Sequence, residues 1–79
     1  MSSKPIPEHN RKRLENLSTF LRELRLNEGL TQRSLSETLN LHRNTIIHAE
    51  NAKNLTLLTV FELADVFGIS ISELFQDIS

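Results

Sequence analysis

Apolar residues return along this chain at three- and four-residue steps, in short blocks separated by glycine, asparagine and threonine. Leu14, Leu17, Leu21 and Leu24 form the first stripe, Phe20 widens it, and Gly29 follows. Such spacing lines one side of a helix, and glycine after the run suits the left-handed residue that commonly ends one. A second block opens at Thr31, a good N-cap, and carries Leu35 and Leu39 one turn apart. Asn40 then stands where a three-residue turn needs positive φ, a conformation asparagine accepts better than any residue except glycine. Leu41 points inward at that turn, and a third helix is predicted from Arg43 to about Asn51.

After a short loop, Thr56 is expected to cap a fourth helix with Leu57, Val60, Phe61, Ala64 and Phe67 on its inner face and Leu63 beside them. Gly68 ends it. Ser70 or Ser72 caps a short fifth helix, Ser72 to about Gln76, which contributes Leu74 and Phe75. No alternating strand pattern competes and no repeat appears. The fold class is therefore all-α, with five helices in one small domain of 79 residues.

The third helix has two different sides. Positions 43 and 47 are neighbours at i,i+4, as are 44 and 48, and 44 and 47 join them at i,i+3. Arg43, Asn44, Ile47 and His48 thus make one outward patch, while Ile46, Ala49 and Glu50 turn the other way. Two short helices, a tight turn and a two-faced second helix are what a helix-turn-helix requires. The patch offers major-groove chemistry: arginine pairs with guanine O6 and N7, asparagine with adenine N6 and N7, and a branched apolar group with the thymine methyl.

Charge at first argues against nucleic acid, since the net charge is −1. Its distribution reverses the impression. Residues 1–53 hold all nine Lys and Arg against six Glu, a balance of +3, while residues 54–79 hold four acids and no base, a balance of −4. Binding follows the local field, and the basic part contains the two-helix motif. The acidic C-terminal half is expected to lie away from DNA or to face a protein partner. Arg11, Lys12 and Arg13 oppose a helix dipole near an N-terminus, so residues 1–13 are expected to form a basic N-terminal arm, with a helix one extended from Pro7 and Glu8 as the alternative. Residues 14–79 are expected to form a helix-turn-helix DNA-binding domain.

Other chemistries find little support. Without cysteine there is no disulfide and no thiolate zinc site. His42 and His48 are six apart, so the i,i+4 zinc arrangement is absent. No glycine-rich phosphate loop or nucleophile elbow occurs. The expectation is no enzyme, no metal and no cofactor. No apolar run approaches a membrane span and no hydrophobic segment follows the N-terminal charges. A cytoplasmic location is expected.

With these residues in view, the chain resembles the lambda-repressor-like helix-turn-helix family of the Xre/Cro type over roughly residues 17–75. The resemblance rests on LRELRLNEGLTQRSL, TLNLHRNTIIHAEN and TLLTVFELADVFGISISELF, in that order and spacing. It implies a compact five-helix domain that binds double-stranded operator DNA as a homodimer on a palindromic site. By position, Gln32 matches a glutamine that grips a phosphate. Arg43, Asn44 and His48 match the principal base-reading positions, with Thr45 and Ile47 beside them. Asn51 and Lys53 match the backbone-contacting end of helix three, and Arg33 joins them as a phosphate contact. Arg25 and Glu50 match a pair that family members join as a salt bridge between helices one and three.

His42 is expected to cap helix three or touch a phosphate. Departures from the family pattern fall in the turns: Ala52 and Asn40 stand where glycine is usual, Ser36 where alanine is, and the loop after Lys53 is short and lacks a proline. Ile71 and Ile78 exceed the needs of a five-helix core and serve either the core or a dimer seam. A repressor is the expected role, and controller proteins and antitoxins with this domain fit equally well. The rival is a protein-interaction module that kept the fold and uses the acidic half; steep salt dependence of DNA binding separates the two.

Overall fold

A computed structural model describes residues 5–53, 55–76 and 78. Five helices follow one another: α1 Glu8–Asn27, α2 Gln32–Leu39, α3 Arg43–Glu50, α4 Leu57–Phe67 and α5 Ile71–Gln76. Among the described residues there is no strand. The core is built where Leu17 and Leu21 of α1 meet Leu35 of α2, Ile46 and Ala49 of α3, Val60, Leu63 and Ala64 of α4, and Leu74 of α5.

Local chemistry sets where the helices start. Thr31 Oγ1 accepts from the Ser34 amide at 3.0 Å, and Ser34 Oγ accepts from the Thr31 amide at 2.9 Å, a reciprocal capping box. Thr56 Oγ1 accepts from the Thr59 amide at 3.2 Å. Of the two serines considered for α5, Ser70 is the cap: its Oγ accepts from the Glu73 amide at 3.1 Å.

The ends follow one rule. Gly29, Asn40, Ala52 and Gly68 lie at φ 70°, 54°, 59° and 66°. Past each of them an amide reaches back to the last turn: Leu30 to the Arg25 carbonyl (3.1 Å), Leu41 to Ser36 (2.9 Å), Lys53 to His48 (2.8 Å) and Ile69 to Ala64 (3.1 Å). This is the left-handed C-cap with its 6→1 bond. Ala52 is the costly member, because a β-carbon in this region crowds the following carbonyl. Ala52→Gly is expected to raise stability by about 1 kcal/mol. In a thermal melt that is a rise of about 4–8 °C.

One expectation changes, the phase of α4, and two open alternatives are decided. Residues 8–13 follow the alternative and extend helix one from Pro7 and Glu8: the Asn10 and Arg11 amides both donate to the Pro7 carbonyl, at 3.0 and 2.9 Å. Glu8 in the first turn complements the dipole and approaches Arg11 at 3.8 Å. Residues 5–7 are non-helical, and the rest of the expected arm, residues 1–4, lies outside the described residues. Helix α4 is rotated from its expected phase, so that Leu57 and Phe61 are exposed and Thr59, Val60, Leu63 and Ala64 are buried. Burying Thr59 costs little because its hydroxyl is bonded to Thr56 Oγ1 at 3.0 Å. Finally, Ile71 and Ile78 are half-buried and packed against the core, so they offer little open surface for a seam.

Candidate nucleic-acid interface

Helix α3 is held from behind. Ile46 is fully buried and Ala49 nearly so, which presses the inner side of α3 against the core that α1 and α2 share. The opposite side is bare: Arg43, Asn44 and His48 are exposed, while Thr45 and Ile47 at its flanks are half-buried. Ile47 is thus less open than its sequence position suggested.

The rear of α3 is also pinned electrostatically. Arg25 Nε donates to Glu50 Oε2 at 2.6 Å and an Arg25 terminal nitrogen donates to Glu50 Oε1 at 3.0 Å. Both side chains are more than nine-tenths buried. Arg25 also donates to the Leu30 carbonyl at 2.8 Å, which ties the α1–α2 turn into the same cluster. A parallel two-point contact of this kind fixes angle as well as distance.

Gln32 joins that cluster. Its Nε2 donates to Glu50 Oε1 at 3.1 Å, so the first residue of α2 and the last of α3 are held together by one carboxylate. The sequence alone assigned Gln32 only an outward contact; its link to Glu50, 18 positions away, is a tertiary finding. Asn51 is similarly committed, donating from Nδ2 to the Ile47 carbonyl at 2.9 Å and so closing the C-terminal turn of α3. Lys53, one residue beyond the turn, is exposed.

At the other end of α3, His42 occupies the N-cap position but its ring makes no capping bond. This corrects the capping alternative for that residue. An imidazole lacks the short oxygen acceptor that capping favours. His42 is exposed beside Arg43.

An open depression of about 590 Å³ lies between the starts of α2 and α3. Gln32, Arg33 and Arg43 line it together with Thr31 and the half-exposed Leu26. The tertiary fold therefore gathers three arginines from separate helices around one hollow, the paired Arg25 of α1 and the exposed Arg33 of α2 and Arg43 of α3. Leu26 lies outside the α1 stripe and was not singled out in the sequence, and Thr31 read only as a cap.

Two short helices joined by a three-residue turn, the second bare on one side and bordered by cations, define a helix-turn-helix domain. The profile of the helix-turn-helix family matches residues 21–74, from the middle of α1 into α5. The chain is also similar to an uncharacterized HTH-type transcriptional regulator of Archaeoglobus fulgidus, being 35% identical over 60 residues that span 75% of this chain and 86% of that one. The chain belongs to the lambda-repressor-like, Xre-type helix-turn-helix family, whose members are DNA-binding regulators.

Among the described residues no helix is long and apolar enough to cross a membrane.

Proposed function

We propose that this protein is a sequence-specific transcriptional repressor that lays α3 in the major groove of a palindromic operator. The observation that carries this reading is the bare side of α3, where Arg43, Asn44 and His48 project from a helix braced by Ile46, Ala49 and the Arg25–Glu50 pair. Arg43 and Asn44 present the donor patterns suited to purine edges, and His48 adds a third polar reader. Gln32, Arg33, His42, Asn51 and Lys53 surround that side and hold phosphates, fixing the register in which bases are read. Thr45 and Ile47 border it, and Ile47 has enough exposed surface to touch a thymine methyl or a sugar.

The working unit is a homodimer, with its two α3 helices one turn of DNA apart, about 34–36 Å. A cytoplasmic location accords with this role. Selection from a random duplex library at low salt tests the reading. A two-fold symmetric consensus is expected, with log affinity falling against log salt by about 0.9 per phosphate contacted. Absence of any enriched duplex would overturn it in favour of a protein-interaction module.

A further inference from the structure

Two of the chain's three histidines flank the bare side of α3, His42 at its N-cap position and His48 in its last turn. Both are exposed, and no hydrogen bond or ion pair to either ring is formed among the described residues. The backbone beneath His48 is nevertheless fixed, since its carbonyl accepts from the Asn51 amide at 3.1 Å and the Lys53 amide at 2.8 Å. Its ring shares the outward side with Asn44, one turn earlier.

Imidazole differs from the other polar groups on this side in changing charge between about pH 5 and pH 8. Neutral, it donates from one ring nitrogen and accepts at the other; charged, it donates from both and accepts at neither. Base edges sort the two forms. Guanine offers only acceptors in the major groove, O6 and N7, whereas adenine and cytosine each offer an amino donor, N6 or N4. A neutral ring can accept from those amino groups, and a charged ring cannot.

The surroundings decide what answers the charge. Arg43 in α3 and Lys53 beyond it are exposed cations, and Arg33 of α2 shares the hollow with Arg43. Of the acids, Glu50 is turned to the rear and committed to Arg25 and Gln32. Glu23 of α1, Glu28 at its end, Glu37 of α2, and Glu62 and Asp65 of α4 form no ion pair with either imidazole among the described residues. A proton taken up on this side therefore meets no carboxylate of the described chain. The phosphates of a bound duplex would supply the counter-charge, because an opposite charge nearby favours the ionised form.

We infer that His48 is a specificity-determining residue switched by protonation: charged, it selects guanine at one position of the half-site, and neutral, it admits adenine there. The proton comes from solvent and is retained while the duplex is bound. His42, at the margin of the same side, takes up its proton against a phosphate and so responds to pH without regard to sequence. The inference rests on the DNA-binding reading above. Its sign follows from which form binds better. Protonated rings strengthen binding, so the added affinity is present at low pH and lost as pH rises.

Selection from random duplex DNA at about pH 5.5 and about pH 8 compares the full-length protein with His48→Gln, His42→Gln and His9→Gln. Glutamine keeps both donor and acceptor at either pH. The unaltered chain is expected to prefer guanine over adenine at one half-site position about tenfold more strongly at the lower pH. His48→Gln should give one consensus at both, while His42→Gln should keep the switch and lose part of the general rise in affinity. His9, in the first turn of α1, is the control, and both responses should survive its replacement. Binding calorimetry in two buffers of different ionisation heat should count up to about one proton fewer per chain for each α3 variant. Circular dichroism at both pH values keeps unfolding apart from binding.

An identical consensus at both pH values in the unaltered chain would overturn the inference and leave the DNA-binding reading standing. So would a pH-dependent position that persists in His48→Gln. Enrichment of no duplex at either pH would overturn both.

Discussion

Glu50→Ala is expected to cost about 3–5 kcal/mol of folding stability. The reason is the company its carboxylate keeps: Arg25 contacts it at two points and Gln32 at a third. Removing the carboxylate leaves the Arg25 guanidinium buried with only the Leu30 carbonyl as partner, and an uncompensated buried charge is what makes such losses large. A domain of this length holds on the order of 4–12 kcal/mol in all. The variant should therefore unfold near or below ordinary growth temperatures, as denaturant titration would show. A second result separates the pair's net worth from the penalty of breaking it. Replacing both partners by apolar residues, Arg25→Met with Glu50→Leu, is expected to recover much of the loss, so that the double change costs clearly less than the two single changes added together. Strict additivity in that cycle would mean that the two side chains do not act as a unit.

Arg43→Ala should change the selectivity of binding more than its strength. A bidentate contact from arginine to a base edge is worth about 1–3 kcal/mol of discrimination, so one position of each half-site should accept other bases after the substitution. Lys53→Ala should behave differently. A phosphate contact carries no sequence information, and its loss should weaken binding to all sequences alike, lowering the salt slope by about 0.9 for each contact removed. The comparison is informative because both residues are exposed cations, one opening α3 and the other beyond its C-terminal turn. Selected consensus sequences for the two variants check it directly. An unaltered consensus for Arg43→Ala, with only a shallower salt dependence, would reassign Arg43 to the phosphates.

The outward side of α3 was open to reading because helix spacing decides which residues share a side, and Ile46 and Ala49 left only one way for that helix to face. The roles of Gln32 and Asn51 were less legible. Both are polar residues at helix ends, where solvent is the usual partner, yet their amides are bonded to Glu50 and to the Ile47 carbonyl. Each nevertheless keeps a carbonyl oxygen and a second amide hydrogen by its own chemistry, so a single substitution at either removes an internal bond together with any contact to DNA.

What the chain determined by itself is its punctuation. Thr31 and Thr56 start helices and Gly29, Asn40 and Gly68 end them because capping bonds and positive φ are decided within a few residues. Even Ala52, which lacks glycine's freedom, takes the left-handed turn that its place after α3 demands. Only the tertiary structure decided which side of α4 is covered. Leu57 with Phe61 and Val60 with Ala64 obey the same four-residue spacing, and periodicity cannot rank two apolar sides of one helix. The resemblance already implied the Arg25–Glu50 pair, but that Gln32 joins it was settled in three dimensions, since contact between residues far apart in sequence depends on how whole helices cross.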